Sequence, residues 1–292
     1  PDEGTTSGSR SVEEGGTALR YACAEVRDLF LQTAARKLGT TLESLTVEDG
    51  TIRVRGRDET VTYWQLAPEV DLARDATGDV QPKTASALKI VGREVKRLDI
   101  PDKLFGAAYV HDLELPGMLH ARVVRPLSYR ARLQDVDLES ARAMAGVVAT
   151  VREGSFLGVV AEREEQAIQA AQAIAKSARW AEHSDLPDAD ALAQFLTSQP
   201  TDDEVLSESA QAVASPVREL EATYTRPYLA HASIGPSCAV ARWNDDGTLE
   251  VWSHCQGPFP LRDEVGRILG IDTARIVVRH MEGAGCYGHN GA

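Results

Sequence analysis

Cysteine is scarce in this 292-residue chain: there are four, Cys23, Cys238, Cys255 and Cys286, and no two stand at Cys-x-x-Cys spacing. That excludes a zinc ribbon and an iron–sulfur run, both of which need thiolates at short fixed intervals. A chain of this length also needs no disulfide framework to hold a core, so thiols are expected. A basic excess is missing as well. There are 31 Lys and Arg against 44 Asp and Glu, a formal net charge of −13. That balance argues against a nucleic-acid partner, because such a protein must neutralise phosphates. No apolar run is long enough to cross a bilayer, and no signal peptide is visible. The first residue is Pro1 rather than methionine. The start is therefore read as processed or cut, with any leader of the parent protein lying upstream.

What is present suits ordinary globular cores. Hydrophobic residues make up 43% and charged residues 26% of the chain, and the length suggests roughly two domains. Ser11 and Glu14 stand at capping-box spacing. Leu19, Ala22, Cys23, Val26, Leu29, Phe30 and Leu38 then recur at helical intervals, which predicts a helix stopped by Gly39. Residues 45–47 and 52–54 read as a hairpin around Asp49-Gly50, residues 62–66 as a strand end or short helix, and residues 71–87 as a polar linker. A second unit, 88–185, alternates between periods. It shows strand character at 119–124, a helix at 138–144 stopping at Gly146, and strands at 147–151 and 156–161. A helix follows at 164–178, with Ala167, Ala170, Ala171, Ile174 and Ala178 on one face. A weaker helix is expected at 189–196, within a linker region spanning 186–215. The last unit, 216–292, is mostly strands: 219–224, 239–243 and 249–253, the last two joined by a turn at Asp246-Gly247. A helix at 260–269 ends at Gly270, and a strand at 275–279 follows.

Four segments carry residue types suited to chemistry. Thr5-Thr6-Ser7-Gly8-Ser9-Arg10-Ser11 opens onto a helix, whose unpaired first amides and dipole favour an anion. Its small residues admit a phosphate, and Arg10 can pair with one. The competing reading is a loose terminus before an ordinary cap, since this segment has neither a P-loop lysine nor a Gly-x-Gly-x-x-Gly run. Residues 283–291 form a Gly-rich loop after a strand, which suits close approach of backbone to a ligand. Its alternative is a plain tail, and a chain that stops inside such a loop also reads as cut. Gln256, in Gln256-Gly257-Pro258 between a strand and a helix, offers an amide that can donate to an oxo group, or else it marks a simple turn. His254, Cys255, Cys286 and His289 carry zinc-type donor atoms. However, His254 and Cys255 are neighbours on a predicted strand and should face opposite ways, so no metal site is expected there. His231 and His280 read as structural.

The middle of the chain carries a longer pattern. Lys96-Arg97-Leu98-Asp99-Ile100-Pro101-Asp102-Lys103-Leu104-Phe105-Gly106 leads into Tyr109-Val110-His111-Asp112-Leu113. Then come Leu115-Pro116-Gly117-Met118-Leu119-His120-Ala121 and Val124-Arg125-Pro126. This order resembles the opening of the a/b hammerhead domain in the xanthine dehydrogenase/aldehyde oxidase family, which reads R-x-D-x-x-x-K-x-x-G, then D, then PGMLHA. The likeness runs on through Gly146-Val147-Val148-Ala149 and Val159-Val160-Ala161-Glu162 to Trp180. Further on, Glu221-Ala222-Thr223-Tyr224, His231-Ala232, Leu249-Glu250-Val251-Trp252-Ser253 and Gln256-Gly257-Pro258 resemble the start of that family's molybdopterin-binding region. The family's G-G-G-F-G-G-K loop corresponds to residues 283–289, with Cys286 in place of the usual phenylalanine and Tyr287 in place of a glycine. This variant loop resembles the branch that holds nicotinate dehydrogenase large subunits, isoquinoline 1-oxidoreductase and cytochrome-linked aldehyde dehydrogenases. So does the placing of the 5–38 loop and helix ahead of the hammerhead segment rather than after it.

The resemblance implies an α+β fold, an a/b hammerhead domain over 88–185 flanked by partial molybdopterin-binding-domain α+β segments, 1–87 and 216–292. It implies a molybdenum hydroxylase that oxidises an aldehyde or N-heteroaromatic small molecule with water as oxygen source. The cofactor would be molybdenum on molybdopterin cytosine dinucleotide. By resemblance, Gln256 takes the role of the family glutamine, which hydrogen-bonds an oxo group of the molybdenum. Gly8, Ser9, Arg10, Gly285, Cys286, Tyr287 and Gly288 become cofactor contacts, with no side chain as a metal ligand. Electrons would leave through [2Fe–2S] centres on a small iron–sulfur subunit and pass to a cytochrome c. The remainder of the large subunit is a further expected partner, because the family's catalytic glutamate lies past the Gly-rich loop and is not found here. The piece alone is then expected to be inactive. The alternative is a non-catalytic structural or interaction module that keeps the family fold.

Overall fold

The helix expected over residues 19–38 is the first large element of the computed structural model, which describes residues 2–106, 109–208, 218 and 220–287. Helix α1 spans Gly16–Leu38 and ends on Gly39, whose left-handed backbone (φ 59°) returns its N–H to the Ala35 carbonyl. Its start differs from the expected capping box. A single π-turn, Ser11–Gly15, precedes it with Arg10 at the cap position. The reason is local: the Glu14 carboxylate pairs with the Arg10 guanidinium at 3.1 Å instead of reaching back to a backbone N–H.

Strands β1 (Leu45–Glu48), β2 (Thr51–Val54) and β3 (Thr60–Thr62) form an antiparallel sheet, its first turn made by Asp49 and Gly50 with φ of 45° and 69°. Phe30, Leu31 and Ala34 of α1 meet Leu45, Ile52, Val54, Val61 and Leu66 in one core. A capping box does exist in this part, on the short helix α2 (Tyr63–Leu66), where Thr62 and Gln65 exchange hydrogen bonds. The stretch 71–87, expected to be a linker, is pinned to α1. Buried Glu25 accepts from the Thr77 N–H at 2.7 Å and the Thr77 hydroxyl at 3.0 Å, and it pairs with Arg74 at 3.4 Å. A short helix, α3 (Ile100–Leu104), was not apparent in the sequence.

By density of contacts the chain divides into two compact units: Glu114–Ala230, and Pro1–Leu113 together with His231–Ala292. In the first, β4 (His120–Val124) and β6 (Val147–Glu153) flank β7 (Phe156–Ala161) in an antiparallel sheet. The short helix α4 (Glu139–Arg142) and helix α5 (Glu164–Ser177) pack on it. The expected alanine face of α5 is the buried one: Ala170 and Ile174 close on Leu157, Val159 and Val124. A two-stranded ribbon of β5 (Arg132–Asp135) and β8 (Arg179–Ala181) completes this core, followed by α6 (Leu192–Thr197). The strand expected at 219–224 does not form among the described residues. Leu220 and Tyr224 are exposed and no neighbouring strand offers a ladder, without which β-propensity counts for little.

The last part of the chain builds a three-stranded sheet, β9 (Ala239–Trp243), β10 (Leu249–Ser253) and β11 (Ile276–His280). β10 pairs antiparallel with β9 and parallel with β11, across the helix α7 (Pro258–Leu269). Leu249, Val251 and Ile276 face α7. Glu250, in the middle strand, bridges its two neighbours. It accepts from Arg242 on β9 at 2.6 Å and from Arg279 on β11 at 2.9 Å, while Arg242 also lies over the Trp252 ring. The two guanidiniums, Arg242 first, hold this carboxyl below its ordinary value of 4.5. A depressed carboxyl stabilises the fold fully above the unfolded-state value, and that contribution fades as pH falls through the lower folded-state value. Acidification from neutral to about pH 3 should therefore destabilise the wild type more than Glu250→Gln. Urea midpoints at both pH values check this, and equal losses would refute it. Helices and small sheets are thus mixed throughout, as an α+β reading expects. Among the described residues no helix is long and apolar enough to cross a membrane.

Candidate functional site

The sequence places Gln256 where β10 ends and α7 begins, and the N-terminal loop comes to meet it. The Thr6 N–H donates to the Gln256 carbonyl at 2.9 Å, and the Gln256 amide nitrogen donates to the Thr6 carbonyl at 2.6 Å. A two-way clasp therefore joins residues at opposite ends of the chain. Pro258 at the first turn of α7 supplies a fixed φ where no N–H partner is needed. Gly257 lets both α7 and the loop pack close, because a Cβ there would stand 3.1 Å from the Pro260 ring and 3.3 Å from the Thr5 hydroxyl.

Beyond the clasp the loop turns sharply, with both Gly8 and Ser9 in the left-handed region (φ 64° and 59°). Thr5, Thr6, Ser7, Gly8, Arg10 and Ser11 line a concave surface of about 550 Å³. The donors there, small hydroxyls and a guanidinium, are of the kind that hold phosphate. Glu3 and Glu14 border the same hollow. Since Glu14 already pairs with Arg10, an anion entering must share that guanidinium with it, which its five N–H groups allow.

The second group follows β11. Gly283 packs flat against the His254 imidazole, and a Cβ on it would lie 2.3 Å from His254 Cγ. His254 is buried and its Nε2 accepts the Cys238 N–H at 3.2 Å. Burial, with His111 and His280 nearby, holds its pKa below the ordinary histidine value. Sequence reasoning considered His254 only as a metal ligand. Its actual part is a platform for a glycine, and the signal was the missing side chain at position 283. Both His254 and Cys255 are buried, although neighbours on a strand were expected to face opposite ways. The explanation is that β10 ends at Ser253, so alternation no longer applies to them.

Ser233 donates to the Gly285 carbonyl at 3.3 Å. Tyr287 adopts φ 50°, a conformation open to glycine at little cost, and its ring folds back onto Gly285. Cys286 lies between them, half-buried. Tyr109, His111, Asp112, Ile234, Ala284 and Tyr287 border a hollow of about 460 Å³. Gly288 and His289 lie outside the described residues. Thr6 ties the N-terminal loop to Gln256, and Gly8 and Arg10 of that loop line the hollow whereas Ser9 does not. The structure brings Gly285, Cys286 and Tyr287 to the segment containing His254 by way of Gly283.

A clasped carboxamide, a hydroxyl-rich hollow and a close-packed glycine loop are the candidate features found among the described residues. Residues 1–88 and residues 197–291 each match a family model described as a molybdopterin cofactor-binding domain. A subunit of the nicotinate dehydrogenase from Pseudomonas putida is 38% identical over 304 residues, covering 99% of this chain and 25% of its own length. The beta subunit of isoquinoline 1-oxidoreductase from Brevundimonas diminuta is 25% identical over 316 residues, 91% of this chain and 40% of its own. The crystal structure of quinoline 2-oxidoreductase from Pseudomonas putida 86 shares the fold, with a TM-score of 0.52 and 22% identity over 66% of this chain and 30% of that one. The chain belongs to the xanthine dehydrogenase/aldehyde oxidase family of molybdopterin-binding subunits, on the branch of nicotinate dehydrogenase and isoquinoline 1-oxidoreductase. It spans well under half the length of these curated relatives.

Proposed function

We propose that this chain forms one wall of the cofactor site in the large subunit of a molybdenum hydroxylase. The enzyme would oxidise an aldehyde or an N-heteroaromatic compound with water as the oxygen source. The observation that carries this reading is the Thr6–Gln256 clasp. It joins the two segments matched as molybdopterin cofactor-binding domain at the glutamine singled out by the sequence. Gln256 presents a carboxamide oriented by Thr6. Gly8, Ser9 and Arg10 offer backbone N–H, hydroxyl and guanidinium donors to the phosphates of a pterin cytosine dinucleotide. Gly285, Cys286 and Tyr287 are proposed as further cofactor contacts, as is Gly288, which lies outside the described residues. When bound, the molybdenum cofactor supplies two-electron oxidation at a substrate carbon. The chain's own contribution is to bind and orient, and to present fixed hydrogen-bond donors.

In this reading residues 88–185 form the a/b hammerhead domain, and the remainder of the large subunit supplies the catalytic glutamate. A small subunit with [2Fe–2S] centres takes the electrons and passes them to a cytochrome c. The isolated chain has no turnover of its own. Relatives named for nicotinate and isoquinoline favour a flat nitrogen heterocycle as substrate. The test is elemental and nucleotide analysis of the parent subunit co-expressed with its partners. About one molybdenum per subunit with a cytosine nucleotide is expected. A metal-free subunit, where a relative loads fully under the same conditions, would leave a fold without the chemistry.

A further inference from the structure

The pattern Arg97-x-Asp99-x-x-x-Lys103 is prominent in the sequence and has no part in the site as described so far. In the structure it is a relay of charge. Arg97 donates from Nε to Asp99 Oδ1 at 3.0 Å, and its other arm reaches Oδ2. Lys103, on α3, stands 2.7 Å from Asp99 Oδ2 and 3.0 Å from Glu282 Oε1. Its side chain is only 24% exposed, so the ammonium sits between the two carboxylates rather than in open water.

Glu282 is the residue immediately before Gly283, and its backbone is held too. The Val110 N–H donates to the Glu282 carbonyl at 2.8 Å, beside a one-residue parallel bridge from Tyr109. His111 donates from Nε2 to the Pro236 carbonyl at 2.8 Å. That contact fixes the segment in which Gly235 approaches Ala284 closely. Residues 97–103 and 109–111 therefore hold both the point where the Gly-rich loop leaves β11 and the chain against which the loop lies.

We infer that Asp99 and Lys103 are positioning residues for the 283–287 loop, acting through the carboxylate of Glu282. A loop opening Gly-Ala-Gly has few side chains with which to hold itself, and its glycines leave it much conformational freedom. A fixed first residue is the simplest means of limiting that freedom. Partly exposed ion pairs contribute little to global stability. Cutting this relay should accordingly release the loop and leave the fold intact. That the loop forms a cofactor wall rests on the function proposed above, whereas the positioning itself does not.

The test uses the full parent subunit with its partner subunits. It carries Lys103→Met, Lys103→Arg, or the exchanged pair Lys103→Glu with Glu282→Lys. Amide hydrogen exchange at residues 283–287 and molybdenum content are both measured. In Lys103→Met, exchange at 283–287 should quicken about tenfold, with α1 and β9–β11 unchanged and Tm unmoved. Lys103→Arg should stay near wild type, and the exchanged pair should restore most of the protection. Unchanged exchange at 283–287 in Lys103→Met, or faster exchange across the whole unit, would overturn the inference. A wild type without molybdenum would overturn the proposed function, and the loop result would still decide the positioning. Full molybdenum retention by Lys103→Met despite a released loop would overturn the loop's part in holding the cofactor.

Discussion

Gly283→Ala is expected to empty the cofactor site of the parent subunit. The added Cβ would sit 2.3 Å from Cγ, 2.5 Å from Cβ and 2.7 Å from Nδ1 of His254, far inside van der Waals contact, so either the ring or the loop must move. The ring is poorly placed to yield. It is buried, its Nε2 accepts the Cys238 N–H, and the His111 ring lies 5.8 Å away. The loop is the softer partner, and it should be displaced together with Gly285, Cys286 and Tyr287. Molybdenum per subunit should fall at least about tenfold, a loss on the order of 1.4 kcal/mol or more in cofactor binding, with only a small change in Tm. The double variant Gly283→Ala with His254→Gly removes all three clashing atoms, the His254 Cβ included, and should load better than the single one. Full loading of Gly283→Ala would show that the loop is no part of the site.

Gln256→Ala should have the second-largest effect. Removing a single well-placed donor from a site of this kind typically costs roughly 10²–10³ in kcat, and a fall of about 10² is expected here. The variant also loses the side-chain half of the Thr6 clasp while keeping the backbone half. Residues 2–10 should then be cut faster by proteases. Gln256→Glu makes a sharper test, because it keeps the size but turns a carboxylate oxygen toward the Thr6 carbonyl. The two acceptors repel, so the terminal loop should be released more fully than in the alanine variant. Wild-type turnover and wild-type protease resistance in Gln256→Ala would remove this residue from the site.

Elements with strong periodicity were legible in the sequence. The apolar stripe ending at Leu38 and the glycine after it gave α1, the Asp49-Gly50 and Asp246-Gly247 turns gave two hairpins, and the alanine face gave α5. Features that depend on distant partners were not. The pairing of β5 with β8 joins segments of four and three residues, too short for alternation to reveal them. Residues 220–224 have strand composition but find no pairing edge among the described residues, and Glu14 could cap a helix start but bonds Arg10 instead. The Glu25 contacts that fix residues 71–87 depend on one carboxylate that nothing in the pattern of α1 sets apart. Gln256 was singled out by family likeness, whereas Thr6 as its hydrogen-bond partner was not, since a backbone hydrogen bond leaves no mark on residue type. Arg97, Asp99 and Lys103 were visible as a motif, but their target, Glu282, appears only once the chain is folded.

The Thr6–Gln256 clasp also sets a clock. Its two halves lie 250 residues apart, and at roughly 5–20 residues per second the ribosome needs on the order of tens of seconds to make the chain between them. For that time Thr6 lacks its partner Gln256 and the terminal loop must stay soluble by its own polarity, which its composition of threonine, serine, glycine and arginine provides. The unit between the halves, Glu114–Ala230, can meanwhile fold on its own local contacts and shorten the effective tether that the clasp must close. The proposed cofactor wall would therefore come into being late. A cofactor that needs both sides of it can be admitted only to a polypeptide already synthesised beyond Gln256, never to the nascent N-terminal segment.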